Sequence, residues 1–149
     1  MIQRIQTLWL LAAVACGIAL FWTPFLQAPS DDTARTVAVL ADGALTATDN
    51  SGLAGLSALS VLTALIAVFL FKNRPLQGRL AQAGVGIGIL LLGLILLAVN
   101  MARAELPDEA QLRLTPALAL PIAYAICCGL AARAIRRDEA LVRSMDRLR

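Results

Sequence analysis

The chain contains no histidine and few charged residues. Without histidine it lacks the commonest general base, the usual base of a catalytic triad and the most frequent metal ligand. Charged residues make up 15% of the 149 positions, against about a quarter in soluble domains. The sequence also lacks a glycine-rich phosphate-binding loop followed by Lys and Ser or Thr. These absences argue against an enzyme and against a soluble domain, and we expect no cofactor and no metal.

Apolar residues, in contrast, make up 59% of the chain and are concentrated in four long blocks without a charged side chain. The blocks cover residues 5–26, 52–71, 80–101 and 114–132. At about 1.5 Å per residue, each spans a hydrocarbon core of about 30 Å. Since lipid offers no hydrogen-bond partner to the backbone, such spans are helical. The sequence therefore predicts an all-α integral membrane protein, one domain over residues 1–149 with a four-transmembrane-helix bundle.

The Lys and Arg residues are distributed unequally between the two sides that four crossings create. Ten of the 13 precede the first block, separate the second from the third, or follow the fourth. These are Arg4, Lys72, Arg74, Arg79, Arg133, Arg136, Arg137, Arg143, Arg147 and Arg149. By the positive-inside rule they face the cytoplasm, so we expect both ends of the chain there. The formal net charge of +3 then reflects membrane orientation rather than nucleic-acid binding.

The start of the chain also resembles a cleavable signal peptide. Arg4 precedes an apolar run with small residues at positions 13–15, directly before Cys16. The apolar residues continue past this point to Leu26, which is longer than the hydrophobic region of a cleavable signal. We therefore expect the first block to remain as a membrane span.

Residues 27–51 form the longest segment between the predicted spans, on the side assigned to the periplasm. β-Branched residues occur on both sides of Asp42-Gly43, from 36 to 41 and from 44 to 48. An Asp-Gly turn between such stretches is typical of a β-hairpin, because both turn positions need a positive φ. We expect a short periplasmic β-hairpin that covers the outer ends of the helices; a ligand-binding lid is the alternative.

Residues 133–149 predict a basic cytoplasmic tail. Arg133, Arg136, Arg143 and Arg147 are spaced so that they share one face of a helix. A basic amphipathic helix of this kind binds the anionic inner leaflet of a membrane. The alternative is a helical continuation of the fourth span, with charges that are only solvated.

The apolar blocks contain few residues that could carry chemistry. Cys127 and Cys128 are adjacent and point to different faces of a helix, so their spacing does not fit a metal or redox pair. The blocks also lack the charged side chains that transport pathways usually place at membrane depth. Pro116 and Pro121 interrupt the fourth block, and broken helices mark substrate sites in some transporters. A small transporter or channel is therefore the alternative function.

Gly84 and Gly88 form a GxxxG spacing in the third block. Small residues at this spacing let two membrane helices approach closely. Two interpretations are open: packing within the four-helix bundle, and self-association of two copies through the third span.

Two polar motifs at the ends of the chain are more specific than the apolar blocks. Residues 1–7 read M-I-Q-R-I-Q-T, and residues 137–149 read R-D-E-A-L-V-R-S-M-D-R-L-R. Together they resemble a family of small bacterial four-pass membrane proteins described as a domain of unknown function. The resemblance covers the whole chain in length and layout, and it implies a location in the bacterial inner membrane. It implies no activity, cofactor or catalytic residue.

The topology and the terminal motifs together predict a non-enzymatic accessory or interaction protein of the bacterial inner membrane. Both motifs lie on the predicted cytoplasmic side, where polar side chains orient a span or contact a partner. The expected partners are membrane lipids, another membrane protein or a second copy of this chain, and no nucleic acid. The residues expected to contact a lipid or partner are Arg4, Arg136, Arg143, Arg147 and Arg149.

Overall fold

A computed structural model describes residues 3–27, 43–104 and 113–146. Four helices run through these residues: α1 (Gln3–Ala19), α2 (Ser51–Phe69), α3 (Arg74–Ala104) and α4 (Ala119–Asp146). Short 3-10 helices at Ala47–Asp49 and Pro116–Leu118 precede α2 and α4. Helices α1 and α3 each pack against both α2 and α4, so the helices form a closed ring. The mostly helical architecture agrees with the prediction from the apolar blocks.

Three of the described helices are long and apolar enough to span a membrane. They comprise Ser51–Phe69, Arg74–Ala104 and Pro116–Val142. Their outward faces carry large apolar side chains such as Leu62, Ile89 and Ile126, each more than half exposed. Exposed apolar surface on this scale is rare on soluble monomers. These helices therefore indicate a membrane protein.

Helix α1 is shorter than the first predicted span. Its apolar stretch, Ile5–Ala19, falls below the length of the other three, whereas the sequence predicted a span over 5–26. The helix ends at Ala19, ahead of Pro24, which disfavours the helical conformation at Thr23. The Thr23 hydroxyl donates a hydrogen bond to the Ala19 carbonyl at 2.8 Å. The described helices thus include three of membrane length and one shorter apolar helix.

Helix α3 begins before the predicted third span of 80–101 and ends after it. Asn73 caps its start, with Oδ1 accepting from the Leu76 amide at 3.4 Å. Its 31 residues give a length of about 46 Å, which exceeds a hydrocarbon core of about 30 Å. Both polar ends of α3, which carry Arg74, Arg79 and Arg103, therefore extend beyond the apolar layer.

Helix α4 runs without interruption from Ala119 to Asp146. Residues 133–146 therefore continue the helix of the fourth apolar block. Pro121 lies in the first turn of α4, where a backbone N–H would have no partner within the helix. Pro121 therefore causes no kink in α4. The helix is not broken in the way that marks substrate sites in some transporters.

A small antiparallel sheet lies at the end of the bundle where α1 ends and α2 begins. In the described residues it has three strands, with β1 (Leu26–Gln27) between β2 (Ala44–Leu45) and β3 (Arg113–Leu114). Leu26 pairs with Leu45 on one side and with Leu114 on the other. Leu26 and Leu45 are fully buried, in one core cluster with Leu91 and Ile95 of α3. We call this end of the bundle the sheet end.

The predicted hairpin differs from this sheet. Gly43 has a φ of 73°, as an Asp-Gly turn requires, and Ala44–Leu45 is a strand. The strand pairs with Leu26–Gln27, and the predicted first strand, 36–41, lies outside the described residues. Arg113–Leu114 was not predicted as a strand, because two residues are too few to show a period of two. In the described part of the chain, the start of the predicted second strand thus belongs to a three-stranded sheet.

Candidate interaction site at the basic end

A buried hydrogen bond joins the two ends of the chain at the opposite end of the bundle. The Gln6 amide Nε2 donates to Asp138 Oδ2 at 2.8 Å, between residues 132 positions apart. Gln6 is 3% exposed and Asp138 8% exposed. Hydrogen bonds to a carboxylate are stronger than those between neutral groups. The N-terminal and C-terminal motifs therefore contact each other at Gln6 and Asp138.

We call this end the basic end; it comprises the start of α1, residues 70–79 and the end of α4. A second buried amide fixes it, because Gln77 Nε2 of α3 donates to the Ala67 carbonyl of α2 at 2.9 Å. Leu10, Ala81, Ala131 and Ile135 are among the buried residues of the core cluster beneath. The basic end is thus tied together by side chains from all four helices.

The structure places the predicted contact residues at this end as far as it describes them. Arg136 is exposed on α4. Arg4 and Arg143 lie in α1 and α4, with side chains outside the described set. Arg147 and Arg149 lie outside the described residues. Arg136 and Arg143 are two helical turns apart, about 10 Å along the axis of α4, and share a face.

A polar cavity of about 250 Å³ opens between α3 and α4 at the basic end. Arg79 and Gln82 line it from α3, and Arg136 and Glu139 line it from α4. Arg79 and Gln82 were not predicted as contact residues. Their spacing of three places them on one helical face, but a sequence does not show which face meets α4.

Small residues bring α3 and α4 together above this cavity. A Cβ at Gly84 would lie 2.8 Å from Cys128 Sγ, and one at Gly88 would lie 2.9 Å from the Ala125 Cβ. Both distances are shorter than a real Cβ atom allows, so only glycine fits at these two positions. The GxxxG face of α3 is therefore occupied by α4 of the same chain. This placement corresponds to the first interpretation, packing within the bundle.

The buried Tyr124 and Ser60 hydroxyls donate to backbone carbonyls rather than forming a reactive site. Tyr124 is fully buried, and its hydroxyl donates to the Ser60 carbonyl of α2 at 2.8 Å. The Ser60 hydroxyl donates to the Ser57 carbonyl at 2.7 Å, while Ser57 Oγ is buried without a partner among the described residues. In the same part of the chain, no group of three or more His, Cys, Asp or Glu side chains could hold a metal ion.

We expect Tyr124→Phe to lower the free energy of unfolding by about 1 kcal/mol, the usual size of a hydrogen bond between membrane helices. The loss follows because the Ser60 carbonyl would keep no donor from α4. Denaturation by SDS in mixed micelles, followed by circular dichroism, measures this change. Thr63→Val is the control, since its hydroxyl bonds Leu59 within the same helix; an equal loss in both variants would contradict a specific role for the α2–α4 contact.

Comparisons with known proteins support the resemblance of the terminal motifs. Searches of the curated proteins and of the solved structures found no match. A family model described as Domain of unknown function (DUF4293) matches residues 2–148. The match includes all of the described helices and strands, and all but the first residue of the N-terminal motif and the last residue of the C-terminal motif. The chain therefore belongs to the DUF4293 family.

Proposed function

We propose that this chain is a four-pass protein of the bacterial inner membrane with both ends in the cytoplasm. In this proposal it is a non-enzymatic accessory protein that binds another membrane protein through its basic end. The observation that carries the proposal is the buried Gln6–Asp138 hydrogen bond, which brings the N-terminal and C-terminal motifs into contact at the basic end.

The position of α1 supports a fourth crossing despite its length. Gln6 near its start contacts Asp138 at the basic end, and β1 just after it pairs with β2 and β3 at the sheet end. Helix α1 thus joins the same two ends as the three helices of membrane length. The turn at 20–25, which includes the fully buried Leu20 and Phe25, extends the apolar layer beyond the end of the helix.

The charge distribution supports the orientation. Ten of the 13 Lys and Arg residues belong to the side that includes the basic end, and short loops with this excess face the cytoplasm. The absence of histidine, the commonest general base, from the sequence supports a non-enzymatic role.

Affinity purification of the tagged protein from its native membrane, followed by mass spectrometry, tests the proposal. We expect a stoichiometric membrane-protein partner that is lost in the double variant Arg136→Gln/Arg143→Gln. Arg103→Gln/Arg113→Gln is the matched control, because it removes the same charge from the sheet end and should retain the partner. The reason for this difference is that Arg136 is exposed beside the joined motifs.

Two results would contradict the proposal. The protein could purify alone, or both double variants could lose the partner equally. If the purified chain alone also changed ion or solute flux in liposomes, the transporter or channel alternative would replace the accessory function.

A further inference from the structure

A second cavity lies along the same pair of helices, on the outer surface of the bundle. It has a volume of about 280 Å³ and is lined by apolar residues of α3 and α4. Gly88, Pro121 and Ala125 form its floor, where α3 and α4 approach closely. Ile89 and Ile126 form its rim and are 64% and 56% exposed. An open apolar groove between branched side chains suits an unbranched hydrocarbon chain.

The apolar cavity follows the same pair of helices as the polar cavity of the basic end. On α3, Arg79 and Gln82 line the polar cavity, and Val85 and Ile89 line the apolar one. Gln82 and Ile89 are two helical turns apart and therefore share a face of α3, about 10 Å apart along the axis. On α4, Gly129 lies between the residues that line the two cavities, and a Cβ there would be 3.8 Å from Val85 Cγ2. Both cavities therefore lie along one seam between α3 and α4.

We propose that this seam binds one anionic phospholipid, with its phosphate between Arg79 and Arg136 and an acyl chain in the apolar cavity. The planar guanidinium matches two phosphate oxygens at once, which makes arginine the preferred partner of phosphate groups. The charged residues that line the polar cavity are these two arginines and Glu139. Their net charge of one positive unit complements phosphatidylglycerol, which carries one negative charge, better than a zwitterionic lipid.

The depth of the apolar cavity agrees with this occupant. Val85 and Leu92 mark its extent along α3, about 9 to 20 Å from Arg79 along the helix axis. One leaflet of a hydrocarbon core of about 30 Å is about 15 Å deep. With the phosphate at Arg79, an acyl chain of the same leaflet therefore reaches the apolar cavity.

The headgroup also finds polar partners beside the phosphate site. Gln82 and Glu139 line the same cavity, and their side-chain oxygens can accept hydrogen bonds from the hydroxyls of a glycerol headgroup. The lipid site goes beyond the proposed function, because it requires no protein partner. The lipid site and the proposed accessory function can be refuted independently, because lipid binding is measured on the purified chain without a protein partner.

Native mass spectrometry of the full-length chain, released from a mild detergent, tests the lipid site. Phosphatidylglycerol and phosphatidylethanolamine with identical acyl chains are supplied in equal amounts. We expect the wild-type protein to retain phosphatidylglycerol about tenfold more than phosphatidylethanolamine. Arg79→Gln and Arg136→Gln should abolish this preference, and Arg137→Gln should keep it, because Arg137 is exposed next to the cavity without lining it.

A second pair of variants tests the apolar part of the seam. Ile89→Trp fills the groove and should lower the retention of both lipids about tenfold. Leu90→Trp is the control, since Leu90 is 58% exposed and does not line the cavity; it should bind both lipids as wild type does. Equal retention of the two lipids by the wild-type protein, which needs no variant to fold, would overturn the proposal. A second result would also overturn it: a wild-type mass that corresponds to two copies of the chain, together with a single-copy mass for Ile89→Trp. In that case a second chain, not a lipid, would occupy the seam.

Discussion

Replacing Gly88 with leucine is expected to lower the free energy of unfolding by about 3 kcal/mol, the upper part of the usual range for an overpacked core. A Cβ at this position would lie 2.9 Å from the Ala125 Cβ and 3.1 Å from the Pro121 carbonyl oxygen. The second contact is with the backbone, which cannot move aside as a side chain can. Titration with SDS in mixed micelles, followed by circular dichroism, measures the loss.

Gly86 provides a matched control in the same helix. A Cβ there meets no atom within 4 Å, and the residue is exposed, so Gly86→Leu should leave the free energy of unfolding within about 0.5 kcal/mol of wild type. If Gly86→Leu and Gly88→Leu were equally stable, the close packing of α3 against α4 would be wrong.

Replacing Gln6 with leucine is expected to cost about 2 kcal/mol of stability, because Asp138 would lose the donor that its buried carboxylate has in the native protein. Asp138→Leu should also destabilise, since it leaves the Gln6 amide buried without this acceptor. The double variant Gln6→Leu/Asp138→Leu should recover much of the loss, because it removes both polar groups together. A double-mutant cycle on the free energies of unfolding measures this coupling.

Gln82→Leu is the control for this cycle. It makes the same change of side chain on α3, where Gln82 is exposed, and should change the stability by less than about 0.5 kcal/mol. Additive effects of Gln6→Leu and Asp138→Leu would show that the two side chains do not interact.

The apolar blocks predicted most of the helical structure, because a hydrocarbon environment leaves the backbone few other conformations. The end of α1 was predicted wrongly for a physical reason. Phe25 and Leu26 are apolar because they are buried beneath the sheet end, and hydropathy does not distinguish that burial from exposure to lipid. The length of an apolar block therefore overestimates the helix wherever a buried turn follows it.

The contact between the two ends of the chain could not be predicted from the sequence. Gln3, Arg4 and Gln6 were noted as polar residues of a terminal motif, and Asp138 belongs to the other motif. The bond between Gln6 and Asp138 connects positions 132 residues apart, and one sequence carries no signal for such a pairing. The motifs thus indicated where an interaction site would lie, while only the fold shows that Gln6 of one motif contacts Asp138 of the other.

For the lipid-binding seam too, the sequence alone did not show which residues of α3 face α4. The GxxxG spacing of Gly84 and Gly88 predicted a close helix approach, but both α4 and a second copy of the chain fitted the spacing. Arg79 and Gln82 were assigned to the lipid site only because the structure shows that their face of α3 lies opposite Arg136. Spacing along a helix defines a face, and the neighbours of that face depend on the tertiary structure.

The proposed function depends most on the basic end lying on the cytoplasmic side of the membrane. Single cysteines at Ser144 and Ser51 test it most directly, because both serines are exposed and lie at the basic end and the sheet end. In intact cells, a membrane-impermeant maleimide should label Ser51→Cys, and Ser144→Cys should react only after the membrane is permeabilised. The wild-type protein is the control, because it shows how much its own Cys16, Cys127 and Cys128 react with the maleimide. These three cysteines lie within helices. Labelling of Ser144→Cys in intact cells would contradict the account.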